Sequence, residues 1–241
     1  ITNIGVICHE FGHALGAPDF YDTDYSQSGG EYCGTGVWDL LGSGAWSGSY
    51  GNRPTGINAW QKCVGGWMSP AVLDKSQTVS NMPAADKSPT CYRMETGTPG
   101  EYFIMEIRQN TGTFDASLPG HGLVVYHVNE NIIGSKLKSN NINATHPQGI
   151  YTVCADAGAD PDNSTASYGS VNSGAAPFPG EYGHTELSDK TYPSTHSTDG
   201  RYAYRALTNI SESNGCIGFD FKQLDEPAKP SELKAVAKNG N

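Results

Sequence analysis

The segment Cys8-His9-Glu10-Phe11-Gly12-His13 sets two imidazoles and a carboxylate at the H-E-x-x-H spacing. Residues four apart on a helix lie only about 40° apart around its axis, so His9 and His13 share a face and can reach one ion, while Phe11 points away towards the core. Glu10 flanks that ion, placed to accept a proton from a water molecule rather than to become a third ligand. This is the arrangement of a zinc peptidase. Gly16 lets the backbone leave the helix sharply and Pro18 stiffens the return, so Asp19 can swing back with an oxygen ligand. Two histidines and one aspartate leave a fourth position for water. Asp22 and Asp24 are close enough in the chain to compete as the third ligand or to serve a calcium site. Chance would supply only roughly 0.009 matches to H-E-x-x-H in a chain of this composition, which argues against coincidence.

The elements that must hold these groups can be read from periodicity. Ile4, Ile7, Cys8, Phe11, Ala14 and Leu15 follow the helical repeat, Thr2 or Asn3 can cap the start and Gly16 can end it. Residues 17–54, dense in Gly, Ser, Asp and Tyr, read as loops and turns, followed by a second helical stretch over Gly56–Gly66 bearing Trp60 and Cys63. After Trp67 the texture changes to short β-branched or aromatic runs at Tyr102–Ile107, Leu123–Val128, Ile150–Val153 and Ile217–Phe221, which predict strands. The fold class is therefore α+β, a metal-binding helix followed by a mainly antiparallel β region over residues 70–225. From Asp225 the chain is polar and carries two prolines, so residues 226–241 read as a linker towards a further domain.

Composition narrows the function. With 15 Lys and Arg against 25 Asp and Glu in 241 residues, the formal charge of -10 repels phosphate backbones and anionic lipid, which argues against a nucleic-acid or membrane-surface protein. No apolar run approaches the ~18 residues that span a bilayer. Charged residues make up 17%, and 30 Gly and 14 Pro are scattered without period, as in loop-rich extracellular proteins. Six cysteines spread singly permit disulfides, but six allow 15 complete pairings and the sequence does not choose among them. The start at Ile1 has no initiating Met, basic region or cleavage pattern, and reads as beginning in mid-protein. His121 and His127 on predicted strands read as hydrogen-bonded structural groups. Trp38, Trp46, Trp60 and Trp67 read as core beneath loops, and Asp156, Asp160 and Asp162 as a calcium site or a solvated turn.

The run His9-Glu10-Phe11-Gly12-His13-Ala14-Leu15-Gly16-Ala17-Pro18-Asp19-Phe20-Tyr21-Asp22 resembles the immune inhibitor A-like family of secreted bacterial metallopeptidases. Gly36-Val37-Trp38-Asp39-Leu40-Leu41-Gly42-Ser43-Gly44 is similar to the family segment that supplies a Met-turn beneath the metal, with Leu41 where the family carries Met. Asn58–Lys62, Gly66-Trp67, Glu106–Gln109, Leu118–Leu123 and Tyr126–Asn129 extend the likeness downstream. The resemblance implies a secreted zinc endopeptidase of metzincin-like fold, with His9, His13 and Asp19 holding zinc, Glu10 as general base, and protein or peptide substrates. It implies that residues 1–69 are the C-terminal part of the peptidase domain and that residues 70–225 complete or follow it. The substrate-binding sheet of such enzymes precedes the zinc helix, so the upstream segment of the same precursor is the expected partner, and residues 1–241 alone are expected to be inactive or nearly so. The rival reading is a noncatalytic β-rich binding or adhesion module retaining a relic zinc helix.

Overall fold

All four predicted strand runs form strands in the computed structural model, which describes residues 2–227; the linker expected over 226–241 lies outside the described residues from position 228 onward. In chain order the elements are α1 (Ile4–Ala14), α2 (Ala59–Val64), β1 (Ala71–Val72), β2 (Gln77–Met82), β3 (Tyr92–Glu95), β4 (Glu101–Arg108), β5 (Gly122–Asn129), α3 (Glu130–Lys136), β6 (Ile150–Val153), β7 (Arg205–Ser213) and β8 (Cys216–Gln223). Long loops join them. The strands make a five-stranded sheet of order β1-β3-β4-β5-β6 and a three-stranded sheet of order β2-β8-β7. Every pairing is antiparallel except the short β1–β3 contact.

Every residue of β4 is buried, because the five-stranded sheet is covered on both faces. Side chains alternate across a strand, and the two faces take different partners. Phe103, Met105, Ile107 and Val125 pack with Val79, Leu207, Phe219 and Phe221 of the three-stranded sheet. Tyr102, Ile104, Val124, Tyr126 and Val128 pack with Phe20, Trp38, Leu41, Ala59 and Trp60 from the first part of the chain. The metal-helix segment thus shares a core with the sheet. Arg108, 1% exposed, reinforces that junction: its guanidinium grips Asp115 through two hydrogen bonds of 2.6 and 2.7 Å and donates to the carbonyls of Trp38 and Gly56. The β7–β8 hairpin turns at Asn214-Gly215, both at positive φ, the conformation that two-residue hairpin loops require.

Two expectations need correction. Phe11 does point away from the histidines, but into solvent rather than a core, at 63% exposure, and Ile4, Ile7 and Leu15 are exposed with it. The face of α1 that packs is instead its glycine side. Gly5 donates to the Gly51 carbonyl at 2.9 Å, and a Cβ there would overlap the Ala45 carbonyl, so the helix backbone itself lies against the 45–51 loop. Trp38 and Trp60 fill the core as expected, whereas Trp46 and Trp67 are more than 60% exposed. Among the described residues no helix is long and apolar enough to cross a membrane.

Candidate metal centre

Two residues after the last residue of α1 comes Gly16, whose φ of 94° belongs to the left-handed region that glycine reaches without strain. The chain then turns back through Pro18, and Asp19 arrives against the two histidines. Among the described residues His9, His13 and Asp19 form the one cluster able to hold a metal ion, with a ligand atom from each lying within 4.8 Å of the others. His9 Nε2 is 3.0 Å from Asp19 Oδ1, His13 Nε2 is 3.3 Å from the same oxygen, and the two Nε2 atoms are 3.1 Å apart.

The proton positions follow from the other ring nitrogens. His9 Nδ1 lies 3.0 Å from the Leu40 carbonyl and His13 Nδ1 lies 2.9 Å from that of Ala17. A carbonyl oxygen only accepts, so in each neutral ring Nδ1 carries the hydrogen and Nε2 presents a lone pair. Two imidazole lone pairs therefore converge on Asp19 Oδ1, a buried oxygen that lacks a hydrogen-bond partner. With both rings neutral, three facing electron pairs repel unless a cation sits between them. Tetrahedral zinc with ligand bonds of ~2.0–2.2 Å separates its ligand atoms by about 3.3–3.5 Å, close to the three spacings found here, so the residues fit the ion. When His9 is protonated its Nε2–H meets the same oxygen, and this hydrogen bond to Asp19 raises the His9 pKa above its ordinary value. Burial pushes the Asp19 carboxyl upward, but hydrogen bonds from His9 and Asn140 outweigh it and hold the group below the usual range.

Asn140, 121 residues away from Asp19, carries no signal in the sequence, yet it sets that carboxylate. Its Nδ2 donates to Asp19 Oδ2 at 2.7 Å, and its Oδ1 accepts from the Asp19 backbone N–H at 2.9 Å. It sits just after α3 with φ 53°, a left-handed position that asparagine tolerates. Thr23 Oγ1 donates to the Asn140 carbonyl at 2.6 Å and ties the two loops together. Leu40 and Ala17 escape a sequence reading because they act through backbone carbonyls. Tyr21 lies near the site as well, its ring within 6.4 Å of the His9 ring and roughly parallel to it, and burial and then Asp19 push its phenol up to about 12.

Beneath α1 lies Leu41. It is fully buried, and its Cδ2 would lie 2.9 Å from a Cβ at position 12, so Gly12 keeps the helix close to this turn. Asp39 fixes the turn: its carboxylate accepts from the N–H of Leu41 at 2.6 Å, the N–H of Asn58 at 3.0 Å and the Gln61 side-chain amide at 3.1 Å. Complete burial raises its pKa to about 6 against these donors. Glu10 is exposed beside the cluster, near enough for its charge to raise His9 further.

The remaining sequence-derived candidates fall outside the centre. Asp22 accepts from the N–H groups of Tyr32 and Asp24 at 3.2 and 3.0 Å, and so braces its own loop. His127 is buried between Tyr151 Oη at 2.6 Å and Glu101 at 2.8 Å, while His121 pairs with Glu212 on the surface. Asp160 accepts from the N–H and hydroxyl of Ser194, 34 positions away, whereas Asp162 accepts from the Ser164 N–H as a turn residue does.

Comparison with known proteins bears on the same segment. Residues 2–67 match the family described as immune inhibitor A peptidase M6, catalytic domain. The pre-pro-metalloprotease PrtV of Vibrio cholerae is 42% identical over 59 residues, which cover 24% of this chain and 6% of that protein. Immune inhibitor A of Bacillus thuringiensis subsp. alesti is 34% identical over 102 residues, covering 33% of this chain and 14% of that protein. The chain thus spans a small part of the length of these relatives. No solved structure matches it.

Proposed function

We propose, from the match of residues 2–67 to the immune inhibitor A peptidase family, that this chain carries the metal centre of a secreted zinc endopeptidase of metzincin-like fold. The observation that carries the reading is the convergence of His9 Nε2, His13 Nε2 and the buried Asp19 Oδ1 on one point. His9, His13 and Asp19 are the ligands. A zinc ion held by them would supply Lewis acidity towards water and the scissile carbonyl. The Leu40 and Ala17 carbonyls hold the imidazoles in the binding tautomer, and Asn140 fixes the carboxylate, so the ligands need little reorganisation. Glu10, exposed at the mouth of the site, accepts the proton of the attacking water and returns it to the leaving amine nitrogen. Protein or peptide chains are the substrates, with residues 70–225 completing or following the peptidase domain.

The test compares the full-length natural protein with its Glu10→Ala variant on a quenched peptide and measures zinc in both. The expected result is retained zinc with hydrolysis reduced by at least ~100-fold, the scale of a general base. Undiminished turnover would place the base elsewhere. A parent protein that holds zinc but hydrolyses nothing would favour a noncatalytic binding module.

A further inference from the structure

Cys63 lies in α2, and Cys91 immediately precedes β3. Between these two positions, 28 apart in the sequence, the chain loops through β1 and β2 and returns, so that the two Sγ atoms stand 3.7 Å apart. Several contacts fix this approach. Lys62 Nζ pairs with Glu106 Oε2 of β4 at 2.6 Å, and the N–H groups of Trp67 and Met68 both bond back to the Lys62 carbonyl. The Ala71 N–H donates to the Cys91 carbonyl at 3.0 Å, bringing the chain after α2 alongside Cys91 itself.

We propose that Cys63 and Cys91 form a disulfide that fastens α2, which carries the core residue Trp60, to the five-stranded sheet. A sulfur–sulfur bond is about 2.05 Å long, so forming it shortens the 3.7 Å separation by roughly 1.7 Å. The sulfurs differ in access: Cys91 is 2% exposed, whereas Cys63 is only partly buried. Cys63 therefore reacts first. It loses its proton and attacks one sulfur of a low-molecular-weight disulfide such as oxidised glutathione, releasing one thiolate and leaving a mixed disulfide. Cys91 then loses its proton and attacks the Cys63 sulfur, releasing the second thiolate. The two electrons and two protons lost by the protein appear as two molecules of the small thiol. Burial pushes both protein thiols up, so the first attack is slow at neutral pH, while the second gains from sulfurs already in contact.

The bond closes a loop long enough to restrict the unfolded chain appreciably, whether or not the metal centre is loaded. The test treats the full chain with oxidised glutathione or with a phosphine reductant, blocks remaining thiols under denaturing conditions and digests with trypsin. The informative tryptic peptides are residues 63–75 and 88–93. The expected result is that these two appear linked in the oxidised sample and separate in the reduced one. The oxidised wild type should melt roughly 5–10 °C above the reduced form, and Cys91→Ser should abolish that difference. Separate alkylation or glutathionylation of Cys63 and Cys91 in the oxidised sample would overturn the pairing. Linked peptides with no change in melting would overturn the fastening role.

Discussion

Replacing Asn140 by glycine removes both hydrogen bonds that set Asp19 while leaving the φ of 53° free of strain. The Nδ2 donor acts on a charged oxygen, and a bond of that kind contributes about 1.5–3 kcal/mol net. Its loss should let Asp19 turn away from the histidines, and removal of such an outer partner typically weakens metal affinity by about 10–100-fold, or roughly 1.4–2.7 kcal/mol. Glycine also frees the unfolded chain, at a cost of up to about 1 kcal/mol that is independent of metal. Competition with a chromophoric chelator measures the first effect, and denaturant unfolding of the metal-free protein measures the second. Asn140→Asp, which sets one carboxylate against another, should differ from the glycine variant. With zinc present its added charge can enter the coordination sphere, so the glycine variant gives the cleaner result. Zinc affinity of Asn140→Gly within twofold of the parent would refute the reasoning, because Asp19 would then be held by something else or would not be a ligand.

Gly5→Ala should destabilise the fold by about 1–3 kcal/mol, since the new methyl overlaps the Ala45 carbonyl and reaches 2.8 Å from that of Gly51; a thermal melt lowered by roughly 3–10 °C checks it, and an unchanged midpoint would show that the 45–51 loop yields freely. Asp115→Asn breaks a buried pair and should cost about 3–5 kcal/mol near neutral pH. Burial raises the Asp115 pKa, but Arg108 outweighs it and the folded value is lowered, so the stability this carboxylate contributes is present above its unfolded pKa of about 3.9 and is lost as pH falls through the folded value. The difference in stability between parent and variant should therefore be constant above about pH 5 and shrink below pH 4, which urea titrations across that range would show.

The histidine pair and the strands were legible because each rests on local periodicity. His9 and His13 need only one helical turn, and β4 and β5 announce themselves as apolar runs interrupted only by Glu106 and His127, because both faces of their sheet are covered. The orientation of α1 was not legible. Its apolar stripe suggested a packed face through Phe11, whereas Gly5 and Gly12 make the close approach, and a glycine contact surface has no hydrophobic periodicity to read. Asn140 was invisible for a different reason: its role depends on a loop after α3 returning to Asp19, a long-range contact between two polar residues of types common in any turn. The exposed Trp46 and Trp67 show the same limit, since size alone does not place a side chain in a core.

X-ray absorption at the zinc edge of the zinc-loaded protein tests the central claim most directly. The account predicts one zinc per chain with a nitrogen and oxygen shell at ~2.0–2.2 Å and the scattering pattern of two imidazoles, the latter lost when His9 and His13 are both replaced by alanine. A sulfur shell at ~2.3 Å, or an imidazole signal that survives the double replacement, would place the ion away from His9, His13 and Asp19 and contradict the account.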